Sequence, residues 1–385
     1  MERAVIVDAV RTGIGRAHKD RGYFRDVRGD DLAVASVRAL VERTGIDPAA
    51  IEDLILGNTQ QTLEHGLNAA RTVGLMAGAA ITTGGATVNR LCGSSLQALH
   101  QAVHAIMAGA EDIQIAGGFE HMHHVPMDHG LDLNPRLFHR TSKAALHMGA
   151  TAEFLAQSLG ITRREQDEFA LRSHQRASQA REMGAFAKEI VGVQGRDEEG
   201  NLFCVRHDQC IRDDATIDAL AALEPAFLPG IGSVTAGNSS PLNDGAAAML
   251  VMSDSRAREL GLRPLVRVRA TAVSGIAPAT MGLGPVPATE KALRRAGMTL
   301  KDVGRIELNE AFAVQVLACL RELKADPEQV NVRGGSIALG HPLGASGARI
   351  MTTLIHTMID QDVEVGLATM CIGLGQGIAT IVERV

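Results

Sequence analysis

A cysteine, a histidine and a second cysteine each sit against glycine in this chain, and together they point to acyl transfer through a thioester. Cys92 lies in Val88-Asn89-Arg90-Leu91-Cys92-Gly93-Ser94-Ser95. The apolar run before it reads as a strand, Gly93 to Ser95 are turn and cap residues, and Leu96 to Met107 has helical periodicity. A thiol at a helix start faces unpaired N–H groups and the positive end of the dipole, so its thiolate is expected to be favoured. His341 lies in Gly340-His341-Pro342-Leu343-Gly344. That turn can deliver an imidazole to take a thiol proton. Cys371 lies in Met370-Cys371-Ile372-Gly373-Leu374-Gly375 and reads as a second reactive turn. Its glycines let the backbone approach a substrate and aim N–H groups at an oxyanion. Asn309, in Asn309-Glu310-Ala311-Phe312, ends a strand before a helix. It reads either as an N-cap or as the holder of a water beside His341.

Other reactive residue types carry plainer readings. Cys204 and Cys210 are spaced too widely for a zinc knuckle, and Cys319 falls inside a helical pattern, so all three are expected to be structural. The run Gly373 to Gly377 mimics part of a dinucleotide fingerprint but lacks the following helix and acidic residue. His121, His123, His124 and His129 lack the helical spacing and companion cysteines of a zinc site, so no metal is expected.

The elements that must position these residues alternate. Ala4 to Val10, Asp53 to Leu56 and Asp112 to Gly117 read as strands, with helices over Asp31 to Arg43 and Asn68 to Leu75 between them. From about His121 the pattern changes. Helices follow over Thr151 to Leu159 and Arg163 to Met183, the second capped by Thr162, and a charged hairpin covers Ile190 to Val205. Regular patterning resumes with strands over Gly245 to Val251, Leu265 to Val273, Arg305 to Leu308, Val365 to Ala368 and Gly377 to Val382. Helices are expected over Thr289 to Ala296, Ala311 to Leu323 and Gly347 to Met358. The class is α/β, with a mixed or parallel sheet. The expected organisation is a first half over 1–121, completed by about 243–264, an insertion over 122–242, and a second half over 265–385. Ile51 to Asn58 faintly matches Val303 to Glu310, which hints at two similar halves with one reactive turn from each.

Composition narrows the classes. With no Trp, one Tyr, nine Phe and a net charge of −6, the chain offers neither stacking platforms nor a global pull on phosphate backbones, so nucleic acid is not an expected partner. No apolar run is long enough to span a bilayer, and the chain opens directly as a strand rather than as a targeting segment. Five scattered cysteines fit a reducing, cytoplasmic setting.

Taken together and in this order, Asn89 to Ser95, Asn309 to Ala313, Gly340 to Arg349 and Cys371 to Gly373 resemble the thiolase family over essentially the whole chain. Gln60-Gln61-Thr62-Leu63-Glu64, Gly117-Gly118-Phe119-Glu120-His121-Met122 and Leu367 to Gly377 look like its degradative bacterial branch. The resemblance implies a five-layer αβαβα thiolase fold of two similar halves with a CoA-binding loop domain. It implies thiolytic cleavage of 3-ketoacyl-CoA by CoA, ending a round of fatty acid β-oxidation. Cys92 would be the nucleophile, His341 its base and Cys371 the second acid and base. His341 and a water held by Asn309 would form one oxyanion site, and the N–H groups of Cys92 and Gly373 the other. Ser240, Arg212, His147 and Met148 match positions that contact CoA or line the pocket. No cofactor or metal is implied, CoA being a substrate. A homodimer is implied, or an assembly of two such chains with two hydratase/dehydrogenase α subunits. His147 looks more like the biosynthetic branch, and Glu224 stands where a basic residue is usual. A biosynthetic acetoacetyl-CoA thiolase, a cysteine hydrolase and a non-catalytic scaffold subunit are the competing readings. The first would have a short acyl pocket, the second no need for Cys371, and the third no need for the intact set.

Overall fold

The computed structural model describes residues 2–385. The first half contains β1 (Ala4–Thr12), β2 (Gly15–Arg16), α1 (Gly29–Thr44), β3 (Asp53–Gly57), α2 (Ala69–Ala77), β4 (Ala86–Val88), α3 (Ser94–Ala108) and β5 (Ile113–His121). Every residue of β1 and β5 is buried, as expected of strands covered on both faces. The insertion contributes α4 (Met148–Leu159), α5 (Arg163–Glu182), β6 (Ile190–Val191), β7 (Val193–Arg196), β8 (Leu202–Val205) and α6 (Ile217–Ala221). Then come β9 (Asn243–Ser253), α7 (Asp254–Glu259), β10 (Val266–Gly275), α8 (Pro285–Ala296), β11 (Arg305–Leu308), α9 (Ala313–Leu323), α10 (Ser336–Leu339), α11 (Leu343–Asp360), β12 (Val365–Ile372) and β13 (Gln376–Arg384).

The main strand order is β11-β12-β13-β10-β1-β9-β5-β3-β4. The β1–β10 seam holds only two register pairs, Val5↔Arg267 and Ile6↔Val266, so it joins two half-sheets. The halves repeat one plan. β1-β9-β5-β3 and β10-β13-β12-β11 share the same pairing senses, antiparallel, antiparallel, then parallel. The faint sequence repeat falls on β3 and β11, which hold equivalent places.

Three cores separate five layers. Leu32, Val37 and Leu40 of α1 and Val73 of α2 cover one face of the first half-sheet. Leu96, Leu99, Val103 and Ile106 of α3, with Ile350, Met351, Leu354 and Met358 of α11, fill the centre between Ile6, Ala116 and Met249 on one side and Met370, Ile378 and Val382 on the other. Leu293 of α8 and Val316 of α9 cover the outer face of the second half-sheet at Leu367 and Ile381. α3 and α11, the helices that follow Cys92 and His341, are therefore the shared middle layer.

The insertion is fastened to β1 by a buried ion cluster. Fully buried Arg11 donates to Glu189 at 2.6 Å and to both oxygens of Asp208 at 2.7 and 2.9 Å. Thr162 caps α5 through a capping box, as its spacing predicts. Two expectations are corrected. α11 begins at Leu343 rather than Gly347, because Pro342 occupies the cap position and the small residues behind it continue the helix. β12 runs on to Ile372, so Cys371 lies in a strand, paired with Gly377, and not in the turn.

Candidate active site

The Cys92 turn is tight and strained. Gly93 N–H donates to Arg90 O at 3.0 Å and Ser94 N–H to Leu91 O at 3.0 Å. Ser94 Oγ donates to Leu91 O at 2.6 Å and accepts the Arg90 N–H at 2.9 Å. This closure holds Leu91 at φ 47°, a left-handed conformation that a leucine adopts only under constraint. Gly93 packs so closely on Ile372 and Ile378 that a Cβ there would clash, which presses the turn against the β12–β13 hairpin. The helix dipole does not win. Burial pushes the Cys92 thiol up to about 11, although the N–H groups of Gly373 and of Cys92 itself favour the thiolate. The expected resting thiolate is thus corrected to a thiol that needs a base.

His341 is held from four sides. Gly340 before it has φ 114°, and a Cβ there would meet Ile14 and Asn243. Its backbone N–H donates to Asn243 Oδ1 at 2.8 Å. Nδ1 lies 2.6 Å from Ser346 Oγ, and that hydroxyl donates its only proton to Pro342 O at 2.9 Å. Nδ1 must therefore donate to the serine, which leaves Nε2 bare. Asn309 Nδ2 stands 3.4 Å from Nε2. Burial, with the Arg349 charge behind it, pushes the imidazole down to about 3. The ring is neutral, and its unprotonated Nε2 faces the Asn309 amide.

Cys371 is buried among Leu155 of α4, Met281, and Ala311, Phe312 and Val314 at the head of α9. That apolar shell raises its thiol well above the ordinary value, and neighbouring Cys92 adds to the effect. The hairpin then turns over Gly373 to Gly375, with Leu374 at φ 65° and Gly375 at φ 81°. Gly373 has Leu91 and the Met148 sulfur as its neighbours. Cys92, Gly373, Cys371 and Met148 thus form one cluster, and His341 and Asn309 form a hydrogen-bonded pair.

The residues matched to CoA fall at several places. Ser240 N–H donates to Ala311 O at 3.0 Å, which sets it beside the Asn309 segment. His147 is exposed at the first position before α4, next to Met148, and its side chain makes no capping hydrogen bond. Arg212 is exposed on the loop after β8, where its backbone N–H donates to His174 Nδ1 at 3.2 Å. Cys319 is buried in α9 and Cys210 is buried beside Asn243, whereas Cys204 is exposed.

Sequence reasoning missed the residues that fix the site from behind. Asn243, Ser346 and Glu120 had no assigned role. Glu120, pushed up to about 7 by burial, accepts from Thr59 N–H at 3.0 Å, Thr59 Oγ1 at 2.8 Å and the Gly344 N–H at 2.8 Å. It ties the start of α11 to the first half. Ser346 follows His341 by five residues, a spacing that could have revealed it. Asn243 had no local signal. Glu64, His121 and His124 bring possible metal-ligand atoms within 4.8 Å of one another. The two rings, however, stack at 3.8 Å and 17°. Lone pairs in nearly parallel planes do not converge on one ion. His121 Nε2 and His124 Nε2 instead hydrogen-bond Phe24 O and Arg25 O.

Comparison with known proteins agrees along the whole chain. The family described as "Thiolase, N-terminal domain" matches residues 4–255, and "Thiolase, C-terminal domain" matches residues 262–384. A 3-ketoacyl-CoA thiolase of Shewanella denitrificans is 55% identical over 389 residues, with all of each chain covered. One from Psychrobacter cryohalolentis is 55% identical, covering 99% of this chain and 98% of the relative. The crystal structure of the Bacillus anthracis acetyl-CoA acetyltransferase superposes with a TM-score of 0.91 at 39% identity, covering 100% of this chain and 99% of that one. With both domain families matched in order, full-length relatives above half identity and a five-layer fold built around Cys92 and His341, this chain belongs to the thiolase family.

Proposed function

We propose that this chain cleaves 3-ketoacyl-CoA with CoA, giving acetyl-CoA and an acyl-CoA two carbons shorter. His341 Nε2 takes the Cys92 thiol proton, and the thiolate attacks the 3-keto carbon. The C2–C3 bond breaks, the acyl group stays on Cys92, and acetyl-CoA leaves as an enolate that Cys371 protonates. The Cys371 thiolate then deprotonates incoming CoA, whose sulfur attacks the thioester. Cys92 leaves and recovers its proton from His341. The observation that carries this reading is a neutral imidazole, unprotonated at Nε2, before a helix whose start is tied to that of the Cys92 helix by Ala348 N–H donating to Ser95 Oγ at 2.8 Å, with the Cys92 and Cys371 thiols, both raised, gathered at the β12–β13 hairpin. A thiol whose pKa is raised is a strong base once ionised, which suits Cys371 to a carbon acid and to CoA. Asn309 with His341, and the N–H groups of Cys92 and Gly373, serve the two oxyanions. The chemistry asks for no resident cofactor.

The degradative direction is supported by relatives named 3-ketoacyl-CoA thiolase at 55–56% identity, against 39% for the acetyl-CoA acetyltransferase. CoA-dependent cleavage, measured with acetoacetyl-CoA and with long-chain 3-ketoacyl-CoA, tests it. Faster turnover of long chains, lost in Cys92→Ala, is the expected result. Activity confined to acetoacetyl-CoA would favour the biosynthetic reading, with His147 the first residue to exchange.

The working unit is a homodimer in this reading. β4, just before the Cys92 turn, is the outermost strand of the first half-sheet. Leu67, just before α2, and Ile81, between α2 and β4, are 92% and 84% exposed. An open strand edge beside large apolar side chains is a surface that a second copy would cover. Among the described residues no helix is long and apolar enough to cross a membrane. Five free cysteines fit a reducing compartment such as the cytoplasm.

A further inference from the structure

Behind Asn309 runs a chain of hydrogen bonds that ends on a buried charge. Arg349, on α11, is fully buried and donates through Nη2 to Ser336 Oγ at 2.6 Å. Ser336, the first residue of α10, is also fully buried and lies 2.7 Å from Asn309 Oδ1. A guanidinium only donates, so Ser336 accepts from Arg349 and gives its one proton to Asn309. Oδ1 is thereby fixed as an acceptor. The amide nitrogen must then face the opposite way, toward His341 Nε2 at 3.4 Å.

The arrangement is expensive for a packing device. Nε and Nη1 of Arg349 have no hydrogen-bond partner, and the nearest acid, Glu307, stands 3.7 Å from Nη1. Unpaired donors in a core call for an explanation, and an apolar side chain of similar length would fill the space at lower cost. α10 is itself pinned, because Glu310, the neighbour of Asn309, accepts from Ile337 N–H at 3.2 Å and from Ser173 Oγ at 2.7 Å. The serine therefore has little freedom to turn away.

We propose that Ser336 and Arg349 are positioning residues for carbon–carbon cleavage: they lock the Asn309 amide and polarise its N–H groups toward the enolate oxygen. The relay touches neither substrate nor Cys92. It acts on the oxyanion site used when the C2–C3 bond breaks, and leaves untouched the one formed by Cys92 and Gly373 N–H groups. This rests on the thiolase reading given above.

A double-mutant cycle with Ser336→Ala and Asn309→Ala tests it. Ser336→Ala removes only the relay's middle hydroxyl. It is expected to lower kcat for thiolysis about tenfold with KM little changed, the cost of one polarised hydrogen bond lost in the transition state. Transfer of the acyl group from preformed acyl-Cys92 to CoA should stay near the wild-type rate. In the Asn309→Ala background the same change should cost almost nothing, since its target is gone. Losses that multiply, an equal slowing of both half-reactions, or wild-type kcat in Ser336→Ala would overturn the relay. Folding of Ser336→Ala is checked separately by its thermal unfolding transition, and if that is lost Ser336→Gly, which likewise removes the hydroxyl, replaces it in the same cycle with the same outcomes. Wild-type enzyme that fails to cleave 3-ketoacyl-CoA would instead overturn the proposed function, whatever the variants do.

Discussion

At the scale of single residues, the site is built from neutral groups. Cys92 carries a thiol pushed up to about 11, and His341 is an imidazole pushed down to about 3, each mainly by burial. A resting thiolate–imidazolium pair, as in hydrolases with a permanently charged cysteine, is therefore not formed. This has a measurable consequence. Inactivation by iodoacetamide should rise about tenfold per pH unit between about pH 7 and 9, following the thiolate fraction. A rate already flat across neutral pH would mean that the thiolate exists at rest. Local sequence singled out Cys92, His341 and Cys371 by the glycines beside them, and Asn309 by its place at a strand end before a helix. It misjudged the state of Cys92, because the helix dipole is local whereas the burial that overrides it comes from layers distant in sequence.

At the scale of elements, periodicity located nearly every strand and helix, and it failed where small residues carry two meanings. Gly344-Ala345-Ser346-Gly347 reads as a turn, yet it forms the first turn of α11, whose Gly344 N–H is held by Glu120 from β5. Met370 and Cys371 look like turn residues beside glycines, yet pairing with β13 draws them into the strand. Partners across the chain made these choices, and one sequence read alone does not display them. The Arg11 cluster is the same kind of feature. It joins β1 to Glu189 and Asp208 of the insertion, which share no local signal with it. Arg11→Met would leave two buried carboxylates without their cation. It is expected to destabilise the protein by about 3–5 kcal/mol, read from urea unfolding. A loss below about 1 kcal/mol would mean that the insertion is held by packing and not by this cluster.

At the scale of the whole molecule, duplication explains why one reactive turn comes from each half. Equivalent helices α3 and α11 meet in the central layer, so the residues before them, Cys92 and His341, are brought to one end of that layer. The insertion contributes Met148, and the β12–β13 hairpin contributes Cys371 and Gly373. The faint repeat between Ile51 to Asn58 and Val303 to Glu310 was one trace of this plan in sequence, and the small-residue turns at 93–95 and 344–347, each opening a helix after a reactive residue, were another. The open β4 edge carries the matching prediction for assembly. Ile81→Asp together with Leu67→Asp should shift the mass measured by sedimentation from dimer toward monomer. An unchanged dimer would place the subunit contact elsewhere.

The central claim is that the acyl group rides on Cys92 between two half-reactions. Intact-mass and peptide mass spectrometry of the enzyme mixed with 3-ketoacyl-CoA, with no free CoA added, tests it most directly. One shortened acyl group per chain is expected on Cys92, with one equivalent of acetyl-CoA released and the adduct discharged when CoA is supplied. An acyl group found on Cys371, or product formed with no adduct on Cys92, would contradict it.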